Sequence, residues 1–90
     1  MLVALRAKDK PNHLDLRVAT REAHVAYLKS CDIVEMAGPC LDENGEMCGS
    51  LIVLNVEDMA DAEAFAAGDP YAKAGLFASV ELTQWNKVMG

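Results

Sequence analysis

The segment SLIVLNV, from Ser50 to Val56, carries the strongest strand signal in the chain. Its side chains are bulky, often β-branched and almost continuously apolar, which is typical of a strand covered on at least one face. A chain of 90 residues has room for only one hydrophobic core. The remaining segments must therefore supply the neighbouring strands of one sheet and the layer that covers it. We expect a single domain over residues 1–90.

Three further segments have strand patterns, at residues 2–7, 33–36 and 78–83. The first is a compact apolar run. The second is expected to end at Gly38-Pro39, because proline interrupts a strand. The third alternates apolar and polar residues, which predicts a strand with one polar face. Between the second segment and the central strand, Asn44-Gly45 predicts a tight hairpin turn.

Two segments have the periodicity of helices. The first runs from about Leu14 to Cys31, and its apolar residues recur at helical spacing on one face: Leu14, Val18, Val25 and Leu28. The second begins at an Asp58 cap with Asp61 three residues later. Its expected buried face consists of Met59, Ala62, Phe65 and Ala66. Gly68 stands where a C-terminal glycine cap belongs, and Pro70 cannot continue the helix.

The element order is therefore β-α-β-β-α-β. This order predicts an α+β, ferredoxin-like fold, with a four-stranded antiparallel sheet and both helices on one face. The other face of the sheet must meet solvent, a ligand or another subunit. Because so small a domain buries a limited core, we expect a homodimer.

Charge and composition exclude several classes of partner. The net charge is −6, and an acidic domain repels phosphate backbones, so we expect no nucleic acid. No apolar run approaches the roughly 20 residues of a membrane helix, so we expect no membrane partner. The segment MLVALRAKDK lacks the pattern of a signal peptide, which favours a cytoplasmic protein.

The sequence contains no signature of a metal or cofactor site. Cys31, Cys40 and Cys48 lack C-x-x-C spacing and a matching histidine pair, so we expect no metal. Cys40 and Cys48 flank the predicted hairpin and could approach across it, but in a cytoplasmic protein we expect free thiols. A glycine-rich phosphate loop and a Gly-x-Ser-x-Gly elbow are both missing, and no cofactor is predicted.

Two residues of the first helix could carry chemistry. Arg21 falls between Val18 and Val25, which predicts a place within the apolar stripe, and His24 falls on the edge of that stripe. One interpretation is structural: Arg21 pairs with a carboxylate, and His24 is a hydrogen-bonded boundary residue. The other is an anion-binding arginine beside an imidazole that serves as a general acid or base.

The segment DPYAKAGLF, Asp69 to Phe77, allows two interpretations as well. Aspartate before proline is a good N-cap, so Asp69 could simply begin a short helical turn that Gly75 closes. Alternatively, the turn carries Asp69 to a cleft, where its carboxylate orients and stabilises an imidazole, as the acid of a catalytic triad does.

Four segments together resemble the YciI-like (YCII-related) family: RVATREAH at 17–24, AGP at 37–39, GS at 49–50 and DPYAKAGLF at 69–77. The resemblance implies a ferredoxin-like fold that pairs into a dimeric α+β barrel. It also implies an active-site histidine and aspartate in a cleft, at His24 and Asp69. Arg21, Ser50 and Tyr71 match residues that the resemblance assigns to substrate binding.

The resemblance implies a small cofactor-independent enzyme, since one branch of the family is associated with eliminating chloride from a chlorinated hydroxyquinol. In this hypothesis a His24–Asp69 acid/base pair acts on a small anionic or phenolic molecule by elimination or isomerisation. A second hypothesis is a non-catalytic binding or regulatory module that holds a small ligand in the same cleft. A third is a structural dimer in which the His24–Asp69 contact only joins a helix to a turn.

Overall fold

The computed structural model describes residues 1–90. Its elements are β1 (Leu2–Asp9), α1 (Leu14–Ser30), β2 (Val34–Leu41), β3 (Met47–Asn55), α2 (Met59–Gly68), α3 (Pro70–Lys73) and β4 (Phe77–Trp85). The four strands form one antiparallel sheet in the order β2-β3-β1-β4. The predicted ferredoxin-like fold is confirmed, with α3 as one additional short turn of helix.

The apolar core lies between one face of the sheet and the two long helices. It is formed by the alternate, inward-facing residues of β1 and β3 together with residues of α2 and the loop before it: Val3, Leu5, Ala7, Ile52, Leu54, Val56, Ala62 and Phe65. Side chains of α1, among them Tyr27 and Leu28, pack against the same residues. Both long helices therefore cover the same face of the sheet, as predicted.

The opposite face of the sheet has no covering layer in the single chain. Several large apolar side chains are exposed there, including Met36, Leu51 and Trp85, which are 55%, 44% and 42% exposed. The pairing register places these residues on the face away from the helices, because their neighbours Ile52 and Leu54 point into the core. The predicted homodimer stays a prediction.

The hairpin between β2 and β3 has a different backbone from the one expected. Gly45 alone has a positive φ, of 78°, whereas the tightest Asn-Gly turn needs a positive φ at both residues. The Asp42 carboxylate accepts hydrogen bonds from the backbone N–H groups of Asn44 and Glu46, at 2.8 and 3.0 Å. The side chain of Asp42 thus organises a slightly longer turn.

Three predictions of local structure are wrong. β2 does not end at Gly38-Pro39 but continues to Leu41. It can do so because it is an edge strand, where proline is tolerated. Gly68 lies within α2 and needs no positive φ. A Cβ there would lie 2.5 Å from the Tyr27 hydroxyl oxygen, so close packing explains this glycine.

The third error concerns the orientation of α1. Val18 is 58% exposed and Arg21 is exposed, so neither lies on the buried stripe. The buried residues of the helix are instead Arg17 and His24. The inward face of α1 thus carries polar side chains, and apolar spacing could not reveal it. No helix in the structure has both the length and the apolar character needed to cross a membrane.

Candidate active site

A set of buried polar and aromatic side chains lies at the end of the sheet where β1 ends and β3 begins. It consists of Asp9, Arg17, His24, Ser50, Asp69 and Tyr71, called the polar cluster below. Helix α1 supplies two of these residues, the strands supply two, and the Asp69-Pro70-Tyr71 turn supplies two. Burial of so many polar groups is costly unless each is hydrogen-bonded. No buried side-chain nitrogen or oxygen lacks a partner in this structure.

Asp69 holds both the turn and the imidazole. One carboxylate oxygen, Oδ1, accepts a hydrogen bond from the Tyr71 backbone N–H at 2.9 Å, which caps α3. The same oxygen lies 2.8 Å from Nδ1 of His24. The residue is 1% exposed. The two sequence interpretations of Asp69 therefore coexist: its backbone and side chain begin the turn, and its carboxylate contacts the histidine.

The carboxylate determines which nitrogen of His24 is free. Oδ1 of Asp69 accepts a hydrogen bond from the Tyr71 backbone N–H, so we assign it as the acceptor of the hydrogen bond with His24 as well. Nδ1 of His24 is then the donor and carries the proton. Nε2 makes no hydrogen bond to the protein. Since every buried side-chain nitrogen and oxygen has a hydrogen-bond partner, Nε2 is not fully buried, and it is accessible from the adjoining pocket. In the neutral ring this nitrogen bears the lone pair, which is the form a general base requires.

The ring of Tyr71 supports the imidazole from the side. Their ring centroids are 4.0 Å apart and their planes differ by 17°. The guanidinium carbon of Arg17 lies over the same tyrosine ring, 4.5 Å from its centroid. Arg17 and His24 are seven residues apart on α1, and two helical turns separate them by about 10.5 Å. Tyr71 fills the space between them.

A buried ion pair completes the polar cluster. Nε and Nη2 of Arg17 donate to the two carboxylate oxygens of Asp9 at 2.6 and 3.0 Å. Nη2 also donates to the Ser50 hydroxyl at 2.8 Å. Burial disfavours the charged guanidinium, but the carboxylate of Asp9, together with a smaller contribution from Tyr71, outweighs that cost and raises the pKa of Arg17 above its usual value. Arg17 is therefore a permanent cation whose charge Asp9 balances.

A pocket of about 250 Å³ adjoins the polar cluster. Four of its twelve lining residues belong to that cluster: Arg17, His24, Ser50 and Tyr71. Arg21 and Lys29 lie at its exposed rim, and the lining contains no aspartate or glutamate. A larger depression of about 730 Å³ lies at the opposite end of β1, around Met1 and Phe65. That depression is open and includes none of the polar cluster, so the smaller pocket is the candidate site.

The structure brings together the five residues singled out in the sequence. His24, Ser50 and Tyr71 line the pocket, Asp69 lies behind His24, and Arg21 is at the rim rather than on the buried face. Two members of the cluster were missed, Asp9 and Arg17. Arg17 lies seven residues before His24, a spacing that places both on one helical face and could have revealed it.

No group of three or more His, Cys, Asp or Glu side chains converges anywhere in the chain. None of the three cysteines is in a disulfide.

The model of the YCII-related domain matches residues 1–86 of this chain. The chain belongs to the YCII-related family. A Haemophilus influenzae relative, an uncharacterized protein, is 32% identical over 97 aligned residues, covering 98% of this chain and 99% of the relative. Protein YciI of Escherichia coli is 30% identical, with the same coverage of 98% and 99%.

Among solved structures, this YCII-related chain is similar to 5-chloro-2-hydroxyhydroquinone dehydrochlorinase from Burkholderia phenoliruptrix, solved in complex with 2,5-dihydroxybenzoquinone. The TM-score is 0.88 and the identity is 32%, and the match covers 96% of this chain and 94% of that one. A small-molecule-acting enzyme therefore exists within the family on this same fold.

Proposed function

We propose that this protein is a small cofactor-independent enzyme in which His24 transfers a proton to and from a phenolic or anionic substrate. The observation that carries the proposal is the 2.8 Å contact between Nδ1 of His24 and the buried carboxylate of Asp69. This contact leaves Nε2 directed at a pocket of a size suited to a small aromatic molecule. Asp69 orients the imidazole and stabilises the imidazolium that forms during the reaction.

The reaction begins when Nε2 removes a proton from an acidic hydroxyl or carbon of the substrate. The electron pair left behind forms a new double bond within the substrate. In an elimination, a leaving group such as chloride departs with its bonding electrons, and His24 then releases its proton to water. In an isomerisation, His24 returns the proton to a different atom. A positioned acid or base of this kind contributes typically about 10²–10⁴-fold to the rate.

The pocket favours a substrate with electron-rich oxygens. Its lining includes cations and no acid, although the whole chain carries a net charge of −6. Arg21 and Lys29 at the rim attract a negatively charged or polarised molecule toward the site. The similar dehydrochlorinase with its bound dihydroxybenzoquinone supports a planar, oxygenated ring as the substrate class.

We also propose that two copies pair through the uncovered face of the sheet, which exposes Met36, Leu51 and Trp85. Large exposed apolar side chains on one face are typical of interaction surfaces. Light scattering on the wild type and on Leu51→Lys tests this pairing: the wild type should have the mass of a dimer and the variant that of a monomer. A wild-type monomer at high concentration would contradict it.

Chloride release from 5-chloro-2-hydroxyhydroquinone tests the catalytic proposal. We expect His24→Gln to lower kcat by about 10²–10⁴-fold. Asp69→Asn should also lower kcat strongly while it preserves the N-cap of α3, since asparagine caps helices as well as aspartate does. His13→Gln, which changes the only other histidine in the chain, is the matched control and should leave kcat unchanged.

The same samples distinguish the other two functions. If 2,5-dihydroxybenzoquinone binds to the wild type and shifts the NMR signals of His24, but the protein turns over no analogue of this ligand, the site is a binding module. If His24→Gln costs about 1.5–3 kcal/mol of stability, the loss of a charged hydrogen bond, and no ligand binds to the wild type, the contact is structural and the catalytic proposal is wrong.

A further inference from the structure

The guanidinium of Arg17 has one nitrogen that the protein does not use. Nε and Nη2 donate to Asp9 and Ser50, whereas Nη1 donates to no protein atom. Because no buried side-chain nitrogen or oxygen lacks a partner, Nη1 is open to solvent. Yet the side chain is only 2% exposed, and it lines the pocket beside His24. The free nitrogen of this buried cation therefore faces the pocket.

The hydroxyl of Tyr71 is in the same situation. The residue is 1% exposed and lines the pocket. Its hydroxyl interacts with the Arg17 guanidinium, whose pKa it helps to raise, but it forms no short hydrogen bond to the protein and is not sealed from solvent. Burial raises the pKa of Tyr71, and the nearby guanidinium groups of Arg17 and Arg21 offset only part of this effect. The hydroxyl therefore keeps its proton at neutral pH and can donate it in a hydrogen bond.

We propose that Nη1 of Arg17 and the hydroxyl of Tyr71 form the donor site for the substrate oxygen that gains negative charge, and that this oxygen belongs to a phenol or enol rather than to a carboxylate. The inference rests on the proposed function and adds to it the identity of the donors and the substrate class. Arg21, which the sequence favoured as the anion-binding arginine, lies at the rim and is not part of this donor site.

The ion pair with Asp9 is the reason for the preference. The charge of Arg17 is already balanced by a carboxylate 2.6 Å away. A carboxylate ligand would have to lose its hydration and would meet no unbalanced buried cation in return. A phenol or enol enters uncharged. Its oxygen becomes negative only as His24 removes a proton, and fixed donors stabilise charge most effectively when it develops in this way.

The ionisation of bound 4-nitrophenol tests the donor site, because only its phenolate absorbs strongly in visible light. The titration is made in the His24→Gln background, so that proton transfer to the imidazole does not contribute. We expect the bound phenol to ionise about one pH unit lower than the free phenol, which means about tenfold tighter binding of the phenolate. Benzoate should compete at least about tenfold more weakly than the phenolate.

Two variants in that background identify the donors. Asp9→Asn combined with Arg17→Gln keeps a hydrogen-bonded pair of similar shape and removes both charges, and it should abolish the downward shift in ionisation. Lys29→Gln removes one cation from the rim of the same pocket and should leave the shift in place. If the double variant does not fold, as judged by circular dichroism, Tyr71→Phe serves instead. It removes only the hydroxyl and should reduce the tenfold preference to about threefold.

Three outcomes would overturn the inference: an undiminished shift in the double variant or, where that variant does not fold, in Tyr71→Phe; a shift abolished by Lys29→Gln; or benzoate that binds as tightly as the phenolate. The proposed function is judged separately, from the NMR signals of His24 in the wild type. If 4-nitrophenol moves those signals without the expected ionisation, the pocket beside His24 binds the phenol but the assignment of the donors is wrong. If 4-nitrophenol leaves them unmoved, both fail.

Discussion

The apolar core and the polar cluster lie under the same sheet face: the core extends along β1, and the cluster adjoins it where that strand ends. The core consists of aliphatic and aromatic side chains whose contribution grows with the area they bury. The polar cluster is as well buried as the core, with Arg17, Tyr71 and Asp69 at 2%, 1% and 1% exposed. It is held instead by specific hydrogen bonds and stacked rings. The core is therefore tolerant of replacement by similar shapes, and the polar cluster depends on exact partners.

The largest expected effect on stability comes from breaking the buried ion pair on one side only. Asp9→Ala leaves the Arg17 guanidinium buried without its carboxylate, and we expect a loss of about 3–5 kcal/mol in the free energy of unfolding. Urea denaturation measures it. The double variant Asp9→Leu with Arg17→Met replaces the pair by apolar groups and should cost much less. Equal losses of stability in the two proteins would mean that the polar cluster does not depend on exact partners more than the core does.

A cavity in the core should cost somewhat less. Leu54 is fully buried near the C-terminal end of β3, and Leu54→Ala should lower the free energy of unfolding by about 2–5 kcal/mol. Val18 lies on α1 and is 58% exposed, so Val18→Ala is the control, with an expected change within about 0.5 kcal/mol. Thermal and urea unfolding of both proteins give the comparison. A similar loss in the two variants would contradict the assignment of Leu54 to the core.

Close packing at the boundary between α1 and α2 gives a smaller effect. In Gly68→Ala the new methyl group meets the Tyr27 hydroxyl, which donates to the Phe65 carbonyl at 2.9 Å. We expect a loss of about 1–3 kcal/mol from this overpacking, although alanine favours the helix by up to about 1 kcal/mol. Gly38→Ala is the matched control, because a Cβ at Gly38 meets no atom within 4 Å. A Gly68→Ala protein as stable as the Gly38→Ala protein would contradict the assignment.

The smallest effect concerns alkaline pH. Burial raises the pKa of Tyr71 above its ordinary value near 10, so the folded chain holds this proton more tightly than the unfolded chain does. The corresponding stability is complete below pH 10 and is lost as the pH rises through the folded pKa. Tyr71→Phe should therefore show a shallower loss of stability between about pH 9 and 11 than the wild type. Urea midpoints across this range measure it, and identical slopes would refute the expectation.

The core could be predicted from the sequence, and the polar cluster only in part. Alternation in the strands and the Asp58 cap of α2 identified the sheet and the second helix. An element that buries one apolar face repeats its apolar residues at a fixed spacing along the sequence. The face of α1 was misplaced, since its inward residues Arg17 and His24 are polar and break that period. Their burial depends on partners that are distant in sequence, such as Asp9 and Asp69, and no local pattern records those partners.

The wrong prediction of the buried face of α1 shows what the family resemblance adds to the apolar spacing. The segments RVATREAH and DPYAKAGLF singled out His24 and Asp69, which hydrogen bonding joins across 45 positions of sequence. The same comparison drew attention to Arg21 rather than to Arg17, because an arginine at the rim and a buried one on the same helix look alike in sequence. The charge partner, Asp9, lies on β1 outside those segments, so the distinction required the three-dimensional structure.

Pro39 has a consequence for the behaviour of the protein in solution. It lies on β2, one of the two free edges of the sheet, where the pairing with β3 also shifts register between Val34 and Met36 and between Cys40 and Leu41. A proline and an irregular backbone make a poor template for a strand from another molecule, so this edge resists polymerisation into fibres. Pro39 also lines the pocket. Redesign of ligand specificity at this position with a β-branched residue would therefore raise the tendency of the protein to aggregate.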